Sequence, residues 1–193
     1  MNMTNRTVII TGGSRGMGQR LALRLGQDGA NVVVNFRQDA DAAAKTVAEI
    51  ESVGGNAFAV QADIADTESV DALVQQSVER FGGVDVVVAN AAASAFKPLS
   101  QIRAHHVAKT MGITVQGFLD LARLSAPHMP KGGRIVAVSG WDSFRVLPGH
   151  GLLGSRASHV RNDYGQRPHA GQALDIRQQP GDSIVIAARC RPV

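Results

Sequence analysis

The chain has 193 residues, 44% of them hydrophobic and 19% charged, which suits one globular domain with a proper core and excludes a disordered chain. A single cysteine, Cys190, excludes an intrachain disulfide and a thiolate metal cluster, and no metal site is expected. The net charge of +4 gathers late: residues 155–193 hold six arginines against three acidic residues, without the aromatic interleaving of a nucleic-acid surface, so no nucleic-acid partner is expected.

The opening run, MNMTNRTVIITGG, meets glycine too early for a secretory signal, and no later run is apolar for long enough to span a bilayer. A cytoplasmic protein without a membrane partner is therefore expected. Strand and helix patterns then alternate. TVIIT (7–11) reads as a buried strand. Met17 to Asp28 follows as a helix, with Leu21 and Leu25 on one face and Gly29 closing it. NVVVNF (31–36) is a second strand, Asp39 to Val53 an alanine-rich helix, and AFAVQAD (57–63) a third strand. Thr67 to Phe81 places Val70, Leu73, Val74 and Val78 on one helical face. VDVVVAN (84–90) is a fourth strand, a helical region covers roughly 100–126, and GRIVAVSG (133–140) is a fifth strand. These apolar runs are continuous rather than alternating, as in a parallel sheet covered on both faces. The fold class expected is α/β, a Rossmann-type doubly wound parallel sheet with its ligand at the carboxyl ends of the strands.

Beyond residue 154 the composition changes. The last lysine is Lys131, and residues 155–183 are rich in Arg, Gln, His, Asp, Gly and Pro. Only SIVIAA (183–188) reads as a strand. Two regions follow: a nucleotide-binding domain over 1–154 and an atypical, poorly ordered tail over 155–193, which leaves the sheet incomplete on its C-terminal side.

TGGSRGMG (11–18) joins the first strand to the first helix. Glycines at 12, 16 and 18 let the backbone turn tightly and bring amide groups and a helix N-terminus to a pyrophosphate. Ser14, Arg15 and Met17 belong to the same turn. At the end of the second strand, where a carboxylate would accept bonds from a ribose 2′-hydroxyl, stands Asn35, with Arg37 two residues later. An acid there would repel a 2′-phosphate, whereas Arg15 and Arg37 can grip it with charge-assisted bonds. NADP(H) rather than NAD is the cofactor expected.

TGGSRGMG, the Ala62-Asp63-Ile64 that follows the third strand, ANAAAS after the fourth and VSG after the fifth resemble the short-chain dehydrogenase/reductase family, in order and spacing, over residues 5 to about 154. The resemblance implies an oxidoreductase that transfers hydride to or from the carbonyl or enoyl group of a small-molecule substrate, working as a homo-oligomer. It places Asp63 and Ile64 at the adenine ring and Asn90, Ala91 and Ala92 along the cofactor cleft. Ala92, where the family usually has glycine, and the following Ala93-Ser94 are nearer the enoyl-acyl-carrier-protein reductase-like branch.

The same resemblance implies four catalytic positions. A serine binds the reacting oxygen, and Ser139 matches it. A tyrosine supplies the proton, a lysine lowers its pKa and holds the nicotinamide ribose, and an asparagine supports the lysine. The asparagine position reads Thr114-Val115-Gln116-Gly117. The longer Tyr–Lys spacing, laid on PGHGLLGSRA, puts the tyrosine position at His150 and the lysine position at Ala157. The only tyrosine is Tyr164, and no lysine follows it. Arg156, one place early, differs from lysine in shape and stays protonated. His150 can donate a proton near neutral pH and is the catalytic candidate beside Ser139. A departure from the ancestral sequence near Ser155, by frameshift or recombination, would explain both losses; a catalytically silent NADP-binding module is the alternative. Trp141, Asp142 and Phe144 could line a substrate pocket or pack their own loop. His105 and His106, adjacent on a helix, should point about 100° apart on a solvated face.

Overall fold

The first five apolar runs form parallel strands: β1 (Thr7–Ile10), β2 (Asn31–Phe36), β3 (Asn56–Gln61), β4 (Val86–Ala89) and β5 (Arg134–Ser139). The computed structural model describes residues 3–139, 150 and 152 in full, and Arg177–Gln178 and Ile184–Arg189 by their backbone. Those last two segments are β6 and β7, and the sheet order is β3-β2-β1-β4-β5-β7-β6. The chain works outward from β1 through β2 to β3, then returns to β4 on the other side. The crevice at the carboxyl ends of β1 and β4 is thus the switch point of the sheet, where ligands of open α/β sheets sit.

Continuous apolar strands have a simple cause here. Ile9 and Val33 pack on one face of the sheet with Val70, Leu73 and Val74 of α3 (Thr67–Phe81), while Val8, Ile10, Val32 and Val34 pack on the other with Ala22 and Ile50. Successive side chains point to opposite faces, and both faces are covered, so every position must be apolar. Ala22 lies on α1 (Gly16–Gln27) and Ile50 on α2 (Ala40–Ser52). α3 starts at Asp66, whose carboxylate accepts the Ser69 N–H at 3.0 Å, and stops at Gly82 with φ 82°.

Three expectations need correction. The buried face of α1 is Gly18, Ala22 and Gly26, with Leu21 and Leu25 only partly buried beside it. A Cβ on Gly26 would lie 2.5 Å from Ile50 Cγ2, so α1 and α2 approach too closely for large side chains. The helical region expected over 100–126 is present, with a π-helical turn inside it: α4 (Ala104–Met111) passes through Gly112–Gln116 into α5 (Gly117–Ser125). Gly117 presses on the Ile64 carbonyl, where any Cβ would overlap it. The sheet is not wholly parallel, because β7 runs antiparallel to β5 and β6 antiparallel to β7. An apolar run marks a strand but carries no direction. Finally, His105 and His106 do not diverge: their rings are 4.0 Å apart, because His106 Nδ1 turns back to accept the Arg103 N–H at 2.9 Å. That bond satisfies an amide at the start of α4.

α5 is pinned to α3 by a buried carboxylate. Asp120 accepts from Thr67 Oγ1 at 2.8 Å, Gln116 Nε2 at 3.0 Å and Arg123 at 3.1 Å. Burial alone would raise this carboxyl, but the bonds from Gln116, Thr67 and Arg123 outweigh it and hold the group below its ordinary range.

Candidate functional site

The turn after β1 is built from the backbone outward. Gly12 and Gly16 take φ of 62° and 58°, a conformation that side chains disfavour, and so swing the chain from the strand into α1. No side chain caps α1 and its first turn holds no acid, so its amide dipoles face the crevice uncompensated. Thr11, buried at the strand end, organises the junction with β4. Its hydroxyl oxygen accepts the Asn90 N–H at 3.0 Å and the Ala91 N–H at 2.9 Å, and lies 3.4 Å from the Val88 carbonyl to which its own proton can go. Asn90 returns the bond, its Nδ2 donating to Thr11 O at 2.9 Å. Gly18 packs under this pair: a Cβ there would clash with Gly12 O and come within 2.7 Å of Asn90 Nδ2.

Around the turn opens a cleft of about 560 Å³. Ten of the residues singled out from the sequence line it: Gly12, Ser14, Arg15, Asn35, Arg37, Asp63, Ile64, Asn90, Ala91 and Ala92. Gly16, Met17 and Gly18 stand at the adjoining helix start rather than in the lining, Met17 half exposed. Asn35 is 2% exposed, and its amide is spent on the protein: Oδ1 accepts the Gly12 N–H at 3.2 Å, and Nδ2 points to the carbonyls of Ala62 (3.1 Å), Val60 (3.4 Å) and Phe36 (3.4 Å). It therefore braces the turn against β3 from beneath. The two acids in the lining are engaged as well. Asp39 accepts the Ala42 N–H at 3.0 Å and caps α2; Asp63 accepts the Ala65 N–H at 3.0 Å and shapes its own turn. The cations Arg15 and Arg37 are exposed and form no ion pair among the described residues.

Ser139 is not among the residues lining this cleft. It lines an adjoining space of about 20 Å³, room for about one water, with Thr11 and Thr114; Ile64, Ala91 and Ile113 line both spaces. Its hydroxyl is buried and has no hydrogen-bond partner among the described residues. Thr114 sits within the π turn, its hydroxyl donating to the Thr110 carbonyl. His150 packs edge-on against Phe96, ring centroids 5.0 Å apart. Trp141, Asp142, Phe144, Arg156, Ala157, Tyr164 and Cys190 lie outside the described residues.

Several residues of the two adjoining spaces escaped the sequence reading. Thr11, in the inner one, carried a usable signal, since a polar residue that follows the apolar run Val8–Ile10 is the informative exception in a core. Lys109 and Ile113, which line the cleft from the α4 side, carried none, because nothing local says which helical residues face a distant turn.

The geometry agrees with comparison to known proteins. The family model of short chain dehydrogenases matches residues 6–151. The 1-cyclohexenylcarbonyl-CoA reductase of Streptomyces collinus is 44% identical over 154 residues, 80% of this chain and 55% of that protein. Hydroxynaphthalene reductase arp2 of Aspergillus fumigatus is 32% identical over 81% of this chain and 58% of its own length. A short chain dehydrogenase from Burkholderia cenocepacia J2315, solved in complex with NADP, superposes with a TM-score of 0.82 at 32% identity, covering 85% of this chain and 67% of that one. The chain belongs to the short-chain dehydrogenase/reductase family. It spans little more than half the length of these two curated relatives. Among the described residues no helix is long and apolar enough to cross a membrane.

Proposed function

We propose that the chain is the dinucleotide-binding part of an NADP(H)-dependent oxidoreductase acting on the carbonyl or enoyl group of a small molecule. One observation carries this: a cleft at the sheet's switch point that pairs a glycine turn and an uncapped helix start with two guanidiniums that form no ion pair among the described residues, while its acids accept from backbone amides. The fit to a phosphorylated dinucleotide is chemical as well as spatial. Gly12, Ser14 and the start of α1 would hold the pyrophosphate, Arg15 and Arg37 the 2′-phosphate, and Asp63 and Ile64 the adenine. Asn35, with its amide committed inward, positions Gly12 rather than reading the ribose. Bound there, NADP(H) would supply or accept a hydride. Ser139 is the donor we assign to the substrate oxygen, because its buried hydroxyl has no hydrogen-bond partner among the described residues. His150 is assigned the proton, with Phe96 orienting its ring.

An enoyl thioester is the favoured substrate class, supported by the name of the 44%-identical relative and by the Ala92-Ala93-Ser94 variation. The cofactor domain is set at 1–154, in keeping with a family match that ends at 151, and residues 155–193 form the atypical region beyond it, departing from the family near Ser155. Cytoplasmic location and assembly with further copies of the chain complete the proposal.

A second possibility, binding without turnover, is favoured by Thr114 at the asparagine position, its hydroxyl turned to Thr110. Calorimetric titration with NADPH and NADH, then coenzyme-consumption assays over ketones and enoyl thioesters, test both. Uptake with turnover supports the oxidoreductase; uptake without turnover on any substrate supports the silent module; no uptake of either coenzyme refutes both. Arg37→Asp should weaken NADPH far more than NADH.

A further inference from the structure

The cleft has a third cation in its lining. Lys109 lies on α4, is exposed, and lines the cleft together with Ile113 from the π turn that follows. Ile113 and Ile64 supply apolar lining to the same cleft, and Arg15 and Arg37 line it too. Among the described residues, none of the three cations forms an ion pair, and both acids of the lining are held by backbone amides. Three cations against two carboxylates leave the lining net positive, a field suited to an anionic ligand.

We infer that Lys109 is a specificity-determining residue: it closes a three-cation ring around the phosphorylated adenosine and so favours the 2′-phosphorylated coenzyme over its unphosphorylated counterpart. This rests on the function proposed above, and on the geometry of α4 rather than on any motif. Lys109 is solvent-facing, so its removal leaves the core untouched.

The test is binding of NADPH and NADH to the whole chain and to Lys109→Met, Lys109→Arg and Arg103→Met, at low and high salt. Arg103 precedes α4, is exposed and is not in the cleft, so its loss removes equal charge from the same helix. One exposed charge contact corresponds to a change of about two- to fivefold in Kd. We expect that loss for NADPH with Lys109→Met, shrinking at high salt, little change for NADH, retention with Lys109→Arg, and none with Arg103→Met. Unchanged NADPH affinity in Lys109→Met overturns the inference. An equal loss for both coenzymes, or the same loss in Arg103→Met, overturns it too by showing only a diffuse field. Wild-type protein that binds neither coenzyme overturns this inference and the proposed function together.

Discussion

Gly18→Ala isolates how the turn is built. In an ordinary helix the change stabilises by about 1 kcal/mol, since alanine has much the better propensity. At residue 18 the new methyl would meet the carbonyl oxygen of Gly12, a backbone atom that can retreat only by shifting the turn, and would sit 2.7 Å from Asn90 Nδ2. Overpacking of this kind costs about 1–3 kcal/mol, and displacing Asn90 from Thr11 O forfeits a hydrogen bond of about 1 kcal/mol. After the helix gain is subtracted, a net destabilisation of roughly 1–3 kcal/mol remains. Urea denaturation of both proteins, with the slope checked for constancy, reads this directly. Gly16→Ala is the control: a Cβ there meets nothing within 4 Å, so only its φ of 58° is penalised, by about 1 kcal/mol. A Gly18→Ala protein as stable as wild type, or more so, would refute the close-packed junction of β1, α1 and β4.

Other outcomes follow from single contacts. Gly26→Ala should cost less than Gly18→Ala, within about 1 kcal/mol of wild type by the same denaturation, because its obstacle is a side-chain methyl of Ile50 that can rotate away. Thr11→Val keeps the shape but takes the acceptor from the Asn90 and Ala91 amides, costing about 1–3 kcal/mol, while Thr11→Ser should restore most of it. Asp120→Asn tests the depressed carboxyl. A group whose folded pKa lies below the ordinary 3.8 stabilises above that value, and the contribution is lost as pH falls through the folded pKa. The stability gap between wild type and Asp120→Asn should therefore be full above about pH 5 and close in stronger acid; a pH-independent gap in thermal melts would contradict it.

Much of this fold was legible because its causes are local. Val32, Val33 and Val34 announce a strand covered on both faces, and Val70, Leu73, Val74 and Val78 announce a helical face. The glycine turn was legible for the same reason. What escaped depends on contacts far along the chain. Thr11 meets Asn90 across 79 residues, and Asn35 meets Ala62 across 27, so neither partner can be read from the local sequence. The small-residue face of α1 is dictated by Ile50 on another helix. The reversal of β7 and the widened turn at 112–116 are choices of backbone path, to which apolar periodicity is nearly blind.

That widened turn carries an evolutionary corollary. A π turn accommodates one residue more than a regular coil, and it sits between the half of the α4–α5 rod that docks on α3 and the half that overlooks the cleft. Deleting one of residues 112–115 would return the turn to regular α-helix with the turns on either side still in phase, so Lys109 and Asp120's clasp would both keep their places. A single-codon indel at this turn is thus absorbed locally, while the cleft and the scaffold stay put.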